Sequence, residues 1–253
     1  MLFPKPRRLI RWCLPGLAAL ALFVVGPASA ANPASNPAAI PTPRLTLGWL
    51  MRFDSQNQLA QRPPVDLLYI GDSIVEHFEN QGRDVWAHYY APRHAINLGI
   101  GGDRTENVLW RLEHMGLGRI SPKLAIVMIG QNNGPANSGE EIAGGIAAIV
   151  GVLRARLPAT KILLLAIFPR GQKPNPERTV LAEANRIASR LADGRTVFYR
   201  DVDGLFLSPD GSIPKALMSD YEHPTPLGHR IWAEAIEPEV AELMGDRPIG
   251  PMR

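Results

Sequence analysis

The stretch "VDLLYIGDSIVEHF", residues 65–78, runs an apolar segment directly into Gly71, Asp72 and Ser73. From Leu67 to Ile70 every position is apolar, the pattern of a strand covered on both faces rather than the in–out alternation of a half-exposed one. Gly, Asp and Ser favour tight turns, each for a local reason of its own, and a turn alone would account for all three. The other reading makes Ser73 a nucleophile held at a strand end, and it requires partners elsewhere in the chain.

Four more runs have the character of strands: "AINLGI" (95–100), "LAIVMI" (124–129), "KILLLAIF" (161–168) and "TVFYRDV" (196–202). Between and before them "LGWLMRFDSQNQLAQR" (47–62), "TENVLWRLEHM" (105–115), "GEEIAGGIAAIVGVLRARL" (139–157) and "NPERTVLAEANRIASRLA" (175–192) have helical spacing. A last helix opens at Thr225-Pro226, a good cap and first-turn pair, with Leu227, Ile231, Ala235 and Ile236 on one stripe. Strands alternating with helices predict an α/β fold with a mainly parallel five-stranded sheet between helix layers. In such folds the ligand site lies beyond the carboxyl ends of the strands. No internal repeat or second domain is evident.

Four polar clusters stand at those ends. Ser73 follows the first strand, "GIGGDR" (99–104) the second and "GQNNG" (130–134) the third, while "DYEHPTPLGH" (220–229) precedes the last helix. A serine hydroxyl becomes a useful nucleophile when a base takes its proton and a third group fixes the base's tautomer. Asp220 and His223, three residues apart, can supply carboxylate and imidazole. The oxyanion that forms during attack on an ester needs preorganised N–H donors, and the Ser73 backbone, a glycine of "GIGG" and an asparagine of "GQNNG" are placed to converge there. Taken singly, each cluster has an ordinary explanation. Asp-x-x-His is commonly a capping or surface pair, "GQNNG" is a turn, and "GIGG" suggests a phosphate loop. The phosphate loop fails because Arg104 stands where G-x-G-x-x-G needs its third glycine, and no acidic residue between Glu113 and Glu140 is available for a ribose. Taken together, all at strand ends, the clusters describe a hydrolase.

The amino terminus reads as a targeting segment. Lys5, Arg7, Arg8 and Arg11 precede an apolar run from Trp12 to Val25, and Ala28-Ser29-Ala30 is a small-residue cleavage signature. The run is short for a membrane span, so residues 1–30 are expected to be a signal peptide, the mature chain to begin at Ala31 without a stable membrane span, and the product to be periplasmic or secreted. The whole chain has 27 basic and 24 acidic residues, and the leader removes four of the basic ones, leaving the remainder near neutral. The basic isoelectric point is therefore no argument for a nucleic-acid partner. The single cysteine, Cys13, lies in the leader, which excludes a disulfide, a thiolate zinc site or a cysteine nucleophile from the mature protein. "ANPASNPAAIPTP" is too rich in proline and small residues to bury a face, so residues 31–46 are expected to be a disordered or extended linker before a domain at 47–247.

The four blocks resemble those of the SGNH (GDSL-like) hydrolases. The stretches "NLGIGGDRTENVLWRL", "EIAGGIAAIV" and "PRGQKPNPER" are similar to those of one group in it, the catalytic subunits of platelet-activating-factor acetylhydrolase Ib. The resemblance implies a flavodoxin-like three-layer α/β/α sandwich and ester hydrolysis without metal or other cofactor. It matches Ser73 to the nucleophile, Asp220 and His223 to the carboxylate and base, and Gly102 and Asn132, with the Ser73 N–H, to the oxyanion hole. By position it also implies an acyl pocket walled by Ile74, Gln131 and Pro224, small enough to favour acetyl. The chain departs from the pattern in Ile74, where the family name has Leu, and in Gln131, where the closer relatives lead one to expect Thr. Those relatives are cytosolic, whereas this chain carries a leader.

The expectation is thus an exported serine esterase acting on a small-molecule or polysaccharide ester, with the alcohol half and the oligomeric state, a homodimer included, left open. A carbohydrate- or lipid-binding protein of the same fold is disfavoured because binding alone makes no demand on Ser73, Asp220 and His223 together. A metal-dependent hydrolase is disfavoured because no His-x-His or H-E-x-x-H spacing exists. Asp72 is expected to brace its loop, His229 lies within the last helix, and His77, His88, His94 and His114 are expected to be surface or structural residues.

Overall fold

The structure is a computed structural model and describes Met1 and residues 36–253. The expected leader, Cys13 and the expected mature terminus at Ala31 lie outside the described residues. Among those described, no helix is long and apolar enough to cross a membrane.

Strands β1 (Leu67–Gly71), β2 (Ala95–Gly99), β3 (Leu124–Met128), β4 (Lys161–Leu165) and β5 (Val197–Arg200) form one sheet in the order β2-β1-β3-β4-β5. Every pairing is parallel. Helices α1 (Leu47–Leu59), α2 (Ser73–Glu76), α3 (Arg83–Val85), α4 (Thr105–His114), α5 (Gly139–Arg156), α6 (Pro176–Ala188) and α7 (Pro226–Met244) connect and cover the strands. The period-two alternation of a strand divides the core between the two faces. Leu68 and Ile70 of β1 join Val127, Leu164 and the apolar stripes of α4, α5 and α6. Leu67 and Tyr69 join Met128, Leu163 and the α7 residues Trp232, Ile236 and Val240 on the opposite face. Both sides of β1 are fully buried, the physical reason its sequence is continuously apolar.

The strand order places the site. The chain moves from β1 outward to β2, then returns past β1 to start β3, so the connections at the carboxyl ends of β1 and β3 diverge and open a crevice between them. Ser73 follows β1, and a single helical turn, Gln131–Asn133, follows β3.

The segment expected to be a linker is held against the domain from Asn36 onward. Asn36 donates to the Glu141 carbonyl, Thr105 Oγ1 donates to the Ala38 carbonyl, and Asn107 Nδ2 donates to the Thr42 carbonyl. Pro37–Ala39 form one 3-10 turn in which Ala38 is completely buried, and side chains and backbone carbonyls of α4 and α5 take up the segment's hydrogen bonds, the Glu106 carbonyl accepting the Thr42 N–H among them. The domain therefore begins before Leu47.

Candidate active site

Ser73 is the first residue of α2. Asp72 caps that helix, its Oδ1 accepting the Ile74 N–H at 3.0 Å, so the serine leaves the strand in a fixed direction. Asp72 is almost completely buried, and burial raises its carboxyl pKa to about 7 against the opposing Ile74 hydrogen bond. It braces the loop, as the sequence suggests.

The base arrives from the other end of the chain. Ser73 Oγ lies 2.9 Å from His223 Nε2, and His223 Nδ1 lies 2.7 Å from Asp220 Oδ2. An acceptor at Nδ1 fixes the tautomer that carries its proton there and leaves Nε2 free to accept from Ser73. Asp220 Oδ1 meanwhile takes the backbone N–H groups of His223 and Glu222 at 2.8 and 3.1 Å. Partial burial raises the Asp220 pKa, but these N–H donors and the imidazole outweigh it and hold the value at about 2. The loop is anchored at both ends: Met218 bridges to Pro224, and the next residue, Thr225, binds the Leu217 and Ala216 carbonyls and caps α7 through Gly228 N–H.

The third part is the donor set. Asn132 Nδ2 donates to the Asp103 carbonyl at 2.9 Å. Nδ2 also lies 3.5 Å from Asp72 Oδ2, a long contact beside the first, and the two together aim the side chain between the β1 and β2 loops. Among the described residues, no protein acceptor takes the N–H of Ser73 or Gly102. Gly102 has φ +75°, a left-handed conformation that an L side chain adopts only at a cost.

The loop that presents Gly102 rests on groups the sequence did not single out. The fully buried Asp103 carboxylate accepts from Trp49 Nε1 at 2.6 Å and Arg111 Nε at 2.8 Å. Arg111, also fully buried, donates to the Leu98 and Gly71 carbonyls at the ends of β2 and β1. Glu76 accepts the Gly101 N–H, and Arg44 donates to the Gly101 carbonyl at 2.6 Å. Arg111 lies in a helix pattern where arginine is normally a surface residue, and Trp49 and Arg44 lie more than fifty residues from the loop they hold; nothing in their local sequence marks them.

Ile74, Gln131 and Pro224, the expected acyl-pocket residues, are all buried. Ile74 belongs to the apolar core on the α7 side of the sheet, and both amide atoms of Gln131 are inaccessible and have no hydrogen-bond partner among the described residues. Two clefts open beside the catalytic loop. One of about 710 Å³ lies between Glu79–Val85 and the first turns of α7; the other, of about 490 Å³, has Asp220, Tyr221 and Glu222 on its rim with Arg170 and Asn175 opposite. No cluster of His, Asp, Glu or Cys suited to a metal occurs among the described residues.

Residues 69–231, which span all four clusters, match the model of the GDSL-like lipase/acylhydrolase family. The chain belongs to that family. It is 37% identical over 220 residues to human platelet-activating factor acetylhydrolase IB subunit alpha2, covering 85% of this chain and 94% of the relative. The fold is similar to that of a GDSL-like lipase from Bacteroides thetaiotaomicron, with a TM-score of 0.63 at 19% identity over 76% of this chain and 97% of the other. It is also similar to an acetyl-xylooligosaccharide esterase from Geobacillus, with a TM-score of 0.56 at 19% identity over 74% and 97%. The protein is an ester hydrolase with the three-layer α/β/α fold of these enzymes.

Of the remaining histidines, His88 Nε2 donates to the Gly250 carbonyl in the carboxyl-terminal tail, His94 pairs with Asp66, and His114 stacks on Trp110. His229 is buried against Phe78, and burial first of all lowers its pKa to about 4. His77 is half-buried. Its ring packs on that of His223, with centroids 4.7 Å apart.

Proposed function

We propose that this protein is an exported serine esterase that removes short acyl groups, acetyl above all, from a lipid or carbohydrate alcohol through an acyl-enzyme. The observation that carries the reading is the continuous relay from Asp220 through His223 to Ser73, with contacts of 2.7 and 2.9 Å. Ser73 Oγ attacks the ester carbon while His223 Nε2 takes its proton. The N–H groups of Ser73 and Gly102 and the side-chain amide of Asn132, giving up its long contact with Asp72, receive the developing oxyanion. Collapse breaks the bond to the alcohol oxygen, which leaves with the proton from His223. Water then gives a proton to His223, adds to the acyl carbon through a second tetrahedral state, and the acid departs as Ser73 recovers its hydrogen.

The acetyl assignment is supported by the acetyl esters in the names of two similar proteins. Export is supported by the basic head, apolar run and Ala28-Ser29-Ala30 of the leader. Activity on p-nitrophenyl esters is expected to fall at least about tenfold from the two-carbon to the six-carbon acid, the strain of forcing methylenes into a filled pocket being of that size. Ser73→Ala is expected to abolish turnover and fluorophosphonate labelling without unfolding the protein. Full activity of that variant would overturn the serine mechanism, octanoate as the best substrate would overturn the acetyl assignment, and an exported protein beginning at Met1 would overturn cleavage of the leader.

A further inference from the structure

Ser73 and His77 stand one helical turn apart. His77 N–H donates to the Ser73 carbonyl at the end of α2, and residues four apart share a helix face. The catalytic imidazole therefore meets the same face of α2 twice: its Nε2 edge lies 2.9 Å from Ser73 Oγ, and its ring lies against the His77 ring with centroids 4.7 Å apart and planes tilted by 36°. We propose that His77 is a positioning residue for the triad, a neutral aromatic surface that holds the His223 ring on line with Ser73 and faces the imidazolium as it forms. The proposal rests on His223 being the base.

The surroundings keep His77 neutral at working pH. Its Nδ1 is inaccessible and has no hydrogen-bond partner among the described residues, so a doubly protonated ring would bury an unpaired N–H beside another imidazole. The groups that face it are Glu76 on its own helix, Asp220 and His223 on the catalytic loop, and His229 of α7. The two carboxylates that favour a charge are already engaged, Asp220 with His223 and Glu76 with the Gly101 N–H. Burial, then the adjacent His223, pushes the His77 pKa down.

A neutral ring over a forming imidazolium attracts it through its π face, whereas a charged His77 would repel it. The arrangement also blocks rotation of His223 away from Ser73 on the covered side. Loss of alignment at the reacting atoms is expensive in rate even when the displacement is small. The contact thus acts on turnover more than on substrate binding.

The test compares wild type, His77→Ala and His77→Phe with p-nitrophenyl acetate from pH 4 to 9. Wild-type labelling at Ser73 by a fluorophosphonate serves as the separate check on the esterase reading. His77→Ala is expected to lose about threefold to thirtyfold in kcat with KM unchanged, the range spanned by contacts of a cation with an aromatic face. His77→Phe, which restores an aromatic face without a titrating group, is expected to recover most of that loss. An unchanged kcat in His77→Ala, a rise in KM that accounts for the loss, or a Phe variant no faster than the Ala variant would each overturn the proposal. Failure of wild type to label at Ser73 would instead overturn the mechanism on which it rests.

Discussion

Replacing Gly102 by alanine separates the conformational demand of the oxyanion loop from its chemical one. At φ +75° an alanine pays the left-handed penalty of about 1–2 kcal/mol. Its Cβ would also fall 3.0 Å from Arg44 Nη1 and 3.3 Å from Nη2. The guanidinium is the far end of a flexible side chain and can retreat, but it then gives up its 2.6 Å bond to the Gly101 carbonyl, a partly exposed contact of about 1 kcal/mol. The expected destabilisation is therefore about 2–3 kcal/mol, measured by urea unfolding. If the backbone instead relaxes towards negative φ, the N–H swings out of the hole, and loss of one donor costs about 10²–10³ in kcat. Steady-state kinetics with p-nitrophenyl acetate reads that second effect under conditions where the variant is fully folded. A second substitution, Arg44→Ala, is expected to relieve the crowding but not the backbone penalty. A Gly102→Ala enzyme as stable as wild type, its backbone therefore relaxed, yet with kcat within about threefold of wild type, far less than loss of a donor costs, would show that the Gly102 N–H does not hold the oxyanion.

Three further outcomes are expected. Asn132→Ala should lower kcat by about 10²–10³ with a small change in KM, because the amide hydrogen it supplies is needed only once the oxyanion develops; a loss below about tenfold would remove Asn132 from the hole. Asp103→Leu should destabilise by about 3–5 kcal/mol, since it leaves the fully buried Arg111 without its carboxylate, and a calorimetric change below about 1 kcal/mol would refute that dependence. Asp72 has a folded pKa of about 7, raised by burial, so the folded state holds its proton at pH values where the unfolded state has released it. Its contribution is complete below the unfolded carboxyl pKa and is lost as pH rises through about 7, so stability should decline across that window less steeply in Asp72→Asn than in wild type; identical slopes would refute the raised pKa.

The fold was legible because its determinants are local and repeated. Continuous apolar runs such as Leu67–Ile70 are viable when both faces of a strand are covered, and Ser138, Asn175 and Thr225 mark helix starts through side-chain bonds that span three residues. The triad was legible for a related reason: Ser73 sits at a strand end and Asp220 lies three residues from His223, so each carries a local signal even though 150 residues separate the serine from its base. Strand alternation did not specify that the sheet would run β2-β1-β3-β4-β5, which decides that the β1 and β3 ends open the crevice.

What the sequence by itself determined is a set of elements and a short list of reactive groups at their ends. Tertiary structure alone decided how those groups are held. The proline-rich residues after Asn36 read as a disordered or extended linker because they are poor in large apolar side chains, yet they dock on α4 and α5, since Ala38 is buried there and distant helices supply the hydrogen bonds. Asp103, Arg111 and Trp49 are individually unremarkable; a buried ion pair and an indole N–H become a support for the Gly102 loop when packing excludes water from all three. His77 shows the same limit within five residues of the nucleophile. Its spacing from Ser73 was visible, but its contact with His223 depends on where the loop before α7 crosses α2. Burial and long-range contact are properties of the packed chain, and the electrostatics of the site follows from them.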